Sequence, residues 1–148
     1  MRLTAYTDYA LRVLIYLGLQ GPELATVGEI ARGYGISKNH LMKVVQELGR
    51  LGYVETVRGK GGGLRLAKAP HEIRVGDVVR HVESDFALVQ CFGDGVPRCR
   101  IERACVLRSV FDEALHAFEA VLDKYTLADL IAPGSRLTRL LLADAPAA

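Results

Sequence analysis

Gly33-Tyr34-Gly35 separates a short amphipathic segment from a longer one, and this order restricts the fold more than any other feature of the chain. Upstream, Thr26-Val-Gly-Glu29 has the form of a capping box, in which a hydroxyl and a carboxylate three residues apart satisfy each other's free backbone N–H groups. A short helix should open there and run to about Arg32, with the two glycines making a tight turn after it. Ser37 is then placed to cap a longer helix whose Leu41, Val44, Val45, Leu48 and Leu51 share one face. Short helix, glycine turn and longer helix is the helix-turn-helix order.

The next segment narrows the choice. Gly52 stops the helix, Tyr53–Val57 reads as a strand, Arg58-Gly-Lys-Gly-Gly-Gly63 as a turn, and Leu64–Leu66 as the returning strand. A hairpin with a basic, glycine-rich tip is a wing. Before the motif, Tyr6, Ala10, Val13, Leu14 and Leu17 recur at helical spacing after a Thr4 cap, and Gly21-Pro22 ends that helix. After the wing, Val75, Val78, Val79 and Val82 line one face of another helix. Leu107, Phe111, Ala114, Phe118, Val121 and Tyr125 then step by four and three, the spacing of a helix seam. Such a seam calls for a partner, and the same helix of a second subunit would give a two-fold dimer; the alternative is packing on its own domain. Thr126-Leu-Ala-Asp129 caps a short final helix.

The expected fold is therefore mainly α with a small β-hairpin wing. Residues 1–83 are expected to form a winged helix-turn-helix DNA-binding domain and 84–104 a cysteine-rich loop. Residues 105–142 hold the dimerisation helix and a C-terminal helix, and 143–148 a flexible tail. At 148 residues, half of them hydrophobic, the chain can bury a real core. Its net charge of +2 says little about nucleic acid, but the basic residues concentrate between Lys38 and Arg65. No signal-peptide pattern and no apolar run of membrane-spanning length is evident, so a cytoplasmic protein with no membrane partner is expected.

With the apolar stripe of the longer helix buried, Lys38, Asn39, His40, Lys43, Gln46 and Arg50 face outward. The second helix of this motif enters the major groove and presents its N-terminal residues to base edges. Asn39 can offer a donor–acceptor pair to adenine, and Lys38 or Lys43 can reach guanine or phosphate. Thr26 and Ser37, at helix N-termini, can direct backbone N–H groups at phosphates. Arg58, Lys60 and Arg65 would bring the wing onto phosphate or an adjacent minor groove. Each cation singly could be merely solvated; the ordered combination favours double-stranded DNA. The Gly61–Gly63 run lacks the Lys-Ser pair and following helix of a phosphate loop. A histidine or aspartate at catalytic spacing from a cysteine is not evident, so an enzyme is not expected.

The chain's three cysteines, Cys91, Cys99 and Cys105, crowd one stretch rich in glycine, proline and charge. Thiols stay reduced in the cytoplasm, and an odd number argues against a simple set of internal disulfides. Three soft, polarizable ligands on one loop suggest a metal site completed from elsewhere, either iron–sulfur or structural zinc.

Several stretches together resemble the family of winged-helix iron–sulfur regulators that includes IscR and RirA. They are Met1–Tyr16, Ser37–Lys43, Leu51–Val54, Val57–Gly63, Gly76–Val79 and Tyr125–Leu130, so the likeness runs from Met1 to about Leu142. Asn39-His-Leu-Met-Lys43 and Tyr125-Thr-Leu-Ala-Asp-Leu130 point to its nitric-oxide-sensing branch. The resemblance implies a homodimeric repressor of palindromic operators, with nitric oxide as effector. It further implies an iron–sulfur cluster on Cys91, Cys99 and Cys105, as 4Fe-4S with 2Fe-2S the alternative. The fourth ligand of the 4Fe-4S form would be Asp8 of the other subunit. Without the resemblance Asp8 reads as a solvated first-turn carboxylate, favoured there by the helix dipole. The histidine that IscR-like members carry three residues after the last cysteine is replaced by Arg108. His81 and His116 match no ligand position, and His116 should face solvent. Seven residues separate Cys91 from Cys99 and five separate Cys99 from Cys105. The longer first gap resembles the iron-responsive branch and keeps an iron- or redox-responsive repressor as the alternative.

Overall fold

The structure, a computed structural model, describes residues 2–92, 99–101 and 104–142. The tail expected over 143–148 and the part of the cysteine loop over 93–98 lie outside the described residues. Helix α1 (Ala5–Gln20) starts where expected: the Thr4 hydroxyl accepts the Thr7 N–H at 3.3 Å, and Gly21 closes the helix with a positive φ. Helix α2 (Val27–Tyr34) opens with the capping box, the Thr26 N–H donating to Glu29 at 2.6 Å and the Glu29 N–H to Thr26 at 3.2 Å. It runs past Arg32, so Gly33 and Tyr34 are helical and only Gly35, left-handed at φ 64°, makes the turn. The Ile36 N–H then reaches back to the Ala31 carbonyl at 3.0 Å and closes the helix end.

Helix α3 (Lys38–Arg50) buries Leu41, Val44, Val45 and Leu48 as the periodicity requires. Strands β1 (Val54–Val57) and β2 (Gly63–Leu66) pair antiparallel, with Glu55 opposite Arg65 and Val57 opposite Gly63. Ala25 pairs with Leu64 through hydrogen bonds of 2.7 and 3.0 Å, so the lead into α2 lies along the hairpin like a third strand. A Cβ on Gly63 would stand 2.9 Å from the Ala25 carbonyl oxygen, which is why glycine occupies this crossing.

Helix α4 (Val75–Val82) packs Val78 and Val79 inward, and α5 (Val106–Leu122) follows the cysteine loop. Helix α6 (Leu127–Ile131) begins with the expected Thr126–Asp129 capping box. It is not the last helix: α7 (Gly134–Leu141) follows and lies against α1 and α2. Leu127 is 2% exposed in the same core as Leu14, Leu17, Ile30, Leu41, Leu48 and Ile73. The chain after α5 thus returns to the winged core. Gly33 permits part of this return, because a Cβ there would meet the Leu141 carbonyl oxygen at 3.0 Å and the Tyr16 ring at 3.1 Å.

Candidate nucleic-acid interface and thiol segment

Burying one stripe of α3 leaves Lys38, Asn39, His40, Met42, Lys43, Gln46 and Arg50 exposed. The Tyr6 hydroxyl donates to the Lys43 carbonyl at 3.0 Å and pins α3 to α1. Beside it lies a shallow apolar cavity of about 220 Å³, lined by Ala5, Tyr6, Tyr9, His40, Lys43 and Val44. Burial raises the Tyr6 hydroxyl's pKa, with the nearby Glu47 carboxylate adding to the effect, so this donor keeps its proton at neutral pH. Ser37 stands at the N-cap position of α3 but makes no side-chain capping bond. Position 40 is a histidine, so the reciprocal carboxylate found at Glu29 in α2 is missing here.

Thr26, Arg58, Lys60 and Arg65 are exposed. The two wing-tip cations stand on the turn between β1 and β2. Arg65 is tied differently: its Nε donates to the Glu55 carboxylate of the opposing strand at 2.9 Å. That hydrogen bond and the facing charge hold the Glu55 carboxyl below its ordinary pKa. Arg65 therefore offers the wing less net charge than its place in the sequence suggests. Arg50 is likewise paired, with Glu47 one turn earlier. Among the described residues no carboxylate forms an ion pair of this kind with Lys38, His40 or Lys43, which share the outer face of α3 with Asn39.

The thiol segment joins α4 to α5. Cys91 lies in a single 3-10 turn, Gln90–Phe92, Cys99 is exposed, and Cys105 is the N-cap of α5; none of the three is in a disulfide. Among the described residues no three His, Cys, Asp or Glu side chains converge into a metal-holding group. The donor chemistry nevertheless fits a soft metal: three free thiols, each at least partly exposed. Asp8 is half exposed and paired with Arg12 at 2.9 Å, one turn along α1, and Arg12 in turn covers the Tyr34 ring. His81 hydrogen-bonds the Tyr53 hydroxyl at 2.8 Å, and His116, exposed as expected, faces Asp112 at 3.5 Å.

Two anchors of this segment are not evident from sequence. At its start, Glu83 accepts hydrogen bonds from the Thr4 N–H, the Thr4 hydroxyl and the Thr7 hydroxyl at 2.9, 3.1 and 2.7 Å. Past its end, the C-terminus of α5 is held to α4 by Arg80, which reaches Asp123 at 2.6 Å and Asp77 at 2.8 Å. These contacts, led by the hydrogen bonds that Arg80 donates to Asp123, raise the Arg80 pKa, and Arg80 correspondingly holds the Asp123 carboxyl low.

Helix α5 has two apolar faces rather than one seam. Leu115 and Phe118 turn inward to line a cleft of about 410 Å³ with Leu3, Phe86 and Leu88. Val106, Leu107, Val110 and Val121 are exposed, with Ala114 and Ala117 on the same side. The expected seam is thereby divided. Phe111 and Phe118 are half-buried, whereas Leu107, Ala114, Val121 and Tyr125 are exposed.

The fold and the α3–wing surface define a winged helix-turn-helix DNA-binding transcriptional regulator. Residues 3–133 match the Rrf2 family, described as an iron-dependent transcriptional regulator, and the chain belongs to that family. It is 54% identical over 142 residues to the HTH-type transcriptional regulator NsrR of Bacillus subtilis (strain 168), covering 95% of this chain and 97% of that one. Among solved structures, CymR, the global cysteine regulator of B. subtilis, superposes with a TM-score of 0.72 at 27% identity, over 92% of this chain and 98% of that one. T. potens IscR gives 0.72 at 28% identity, over 90% and 88%. Among the described residues no helix is long and apolar enough to cross a membrane.

Proposed function

We propose that this regulator is a cytoplasmic homodimeric repressor whose operator affinity is governed by an iron–sulfur cluster, 4Fe-4S in its working form, that responds to nitric oxide. The observation that carries the proposal is the position of the three free thiols between two fixed points, Glu83, fastened to α1, and the start of α5. Cys91, Cys99 and Cys105 would hold the cluster, with Asp8 of the second subunit as fourth ligand. When bound, the cluster supplies a sulfur-ligated iron centre that reacts with nitric oxide.

The chain's own residues do the rest. Cys105 stands at the N-cap position of α5, so any pull on its sulfur would be felt next to the first turn of the helix expected to form the dimer. Asp8 lies one turn into α1, whose Tyr6 holds α3. Ligation of Asp8 would compete with Arg12 for its carboxylate and would bear on the helix that positions the reading surface. Lys38, Asn39, His40 and Lys43 would meet base edges and phosphates. Thr26 and Ser37 would direct helix N-termini to phosphates, and Arg58, Lys60 and Arg65 would set the wing on the backbone. In a two-fold dimer the two α3 helices must enter major grooves about 34–36 Å apart on a palindromic operator. Roughly 1–3 kcal/mol of coupling to the ligand state would change affinity about 5- to 150-fold.

Anaerobic purification followed by titration with nitric oxide, with absorption and operator binding read together, tests this reading. Cys99→Ala should lose the visible absorption and the tight binding in parallel, and Asp8→Ala should alter the spectrum or hasten its decay. Wild-type affinity in a colourless Cys99→Ala protein would refute it. The wider Cys91–Cys99 spacing favours one second reading, a response to iron or redox state, in which chelator or oxidant rather than nitric oxide releases DNA. Colourless protein with about one zinc per chain would instead indicate a zinc-stabilised DNA-binding protein.

A further inference from the structure

We infer that Met42 is a specificity-determining residue that reads the 5-methyl group of a thymine in the operator's major groove; the inference rests on α3 being the reading helix. Among the described residues from 2 to 100, Met42 is the one large hydrophobic side chain left exposed, at 53%. It is not surplus from the core. Leu41, Val44, Val45 and Leu48 already fill the buried stripe of α3, and Met42 points away from them.

Its neighbours on the outer face are the residues suited to DNA. Asn39 lies one turn before it, Gln46 one turn after, and Lys43 beside it, a spacing that places all four on one surface. Lys38 and Lys43 on the same helix make the surroundings cationic, which suits a polyanion and disfavours a lipid tail or an apolar protein face. In the major groove the thymine C5-methyl is the apolar group that base pairs present, whereas the other edges are donors and acceptors. Met42 is the fifth residue of α3, within the N-terminal part that approaches base edges in this motif. A methionine there is long and adaptable enough to close on a methyl group without the backbone moving. Asn39 beside it can take the adenine of an A·T pair, so the two side chains would read the two strands of the same or adjoining step.

The test uses the full-length protein, purified anaerobically with its metal, and a duplex selected by it from a randomised pool. Each thymine in turn is replaced by deoxyuridine in both half-sites, which removes one methyl group and leaves the hydrogen-bonding edge intact. For wild type, one position should lose about fourfold per half-site, the order expected for one buried methyl group. Met42→Ser should bind the thymine and uracil duplexes equally, and Met42→Leu should restore the discrimination. The inference is overturned if Met42→Ser keeps the wild-type uracil penalty, or if wild type is indifferent to uracil throughout. A pool that yields no preferred duplex is a different result, which overturns α3 as the reading helix and this inference with it.

Discussion

The Thr7 hydroxyl, fully buried in the first turn of α1, donates to the Glu83 carboxylate at 2.7 Å, across 76 residues of sequence. One end of the thiol segment is thereby fastened to the helix that carries Asp8 and supports α3. Thr4 adds two further donors to the same carboxylate, so α1's N-terminus and α4's C-terminus form one unit.

This unit should be sensitive to acid. Burial pushes the Glu83 carboxyl up, but the hydrogen bonds from Thr7 and Thr4 outweigh it and hold the group below its ordinary value of 4.5. A depressed carboxylate contributes its stability fully above the unfolded pKa and loses it as pH falls through the folded one. Glu83→Gln should therefore be less stable than wild type at neutral pH, by about 1–2 kcal/mol for the weakened bonds. The gap should narrow as pH drops below about 4.5. Denaturant unfolding of both proteins from neutral to acid pH checks it; a constant gap would mean the carboxylate's charge is immaterial.

The two kinds of cation on the DNA face should separate in salt titrations. Lys43→Ala should weaken operator binding and flatten log affinity against log salt by about 0.9 for each phosphate that Lys43 neutralises. Arg65→Ala should change the slope less, because Glu55 already shares that guanidinium's charge. Equal slopes for the two variants would remove the cross-strand pair as a determinant.

In the proposed dimer, Val110, 52% exposed on the outer face of α5, would lie at the subunit contact. Val110→Asp should shift sedimentation equilibrium to monomer and lower operator affinity with it, since a buried unpaired charge is strongly unfavourable. His116→Ser, off that face, should stay dimeric. A dimeric Val110→Asp protein would move the interface elsewhere.

Gly76 of α4 lies directly against the Asp123 side chain at the end of α5. A methyl group there would collide with the Asp123 carboxylate that holds Arg80. Gly76→Ala should cost about 1–3 kcal/mol in unfolding free energy, as overpacking does. Gly134→Ala, where nothing stands within 4 Å of the added carbon, should be neutral or stabilising by up to about 1 kcal/mol. Similar stabilities for the two variants would show that Asp123 simply swings aside.

What can be read along the chain involves partners close together in sequence. The Thr4, Thr26 and Thr126 caps, the stripe of α3 and the hairpin of β1 and β2 are set by helical or strand period and by short-range hydrogen bonding. The outward set on α3 follows directly, because burying one face exposes the other. Met42 is within reach of the same reasoning, as a hydrophobic residue on the wrong side of the stripe. Ser37 misleads because a capping residue type signals a position, while the bond itself depends on the rotamer and backbone geometry at that position.

The amino-acid order alone determined the helix-turn-helix, the wing and the grouping of three thiols, since each is a local pattern. Tertiary structure decided the fastening of Glu83 to Thr7, the neutralisation of Arg65 and the return of α6 and α7 to the core. It also decided which face of α5 turns inward. Periodicity tells how many apolar residues share a side, but burial depends on what the rest of the chain brings against that side. Contacts between residues far apart in sequence leave no spacing to read.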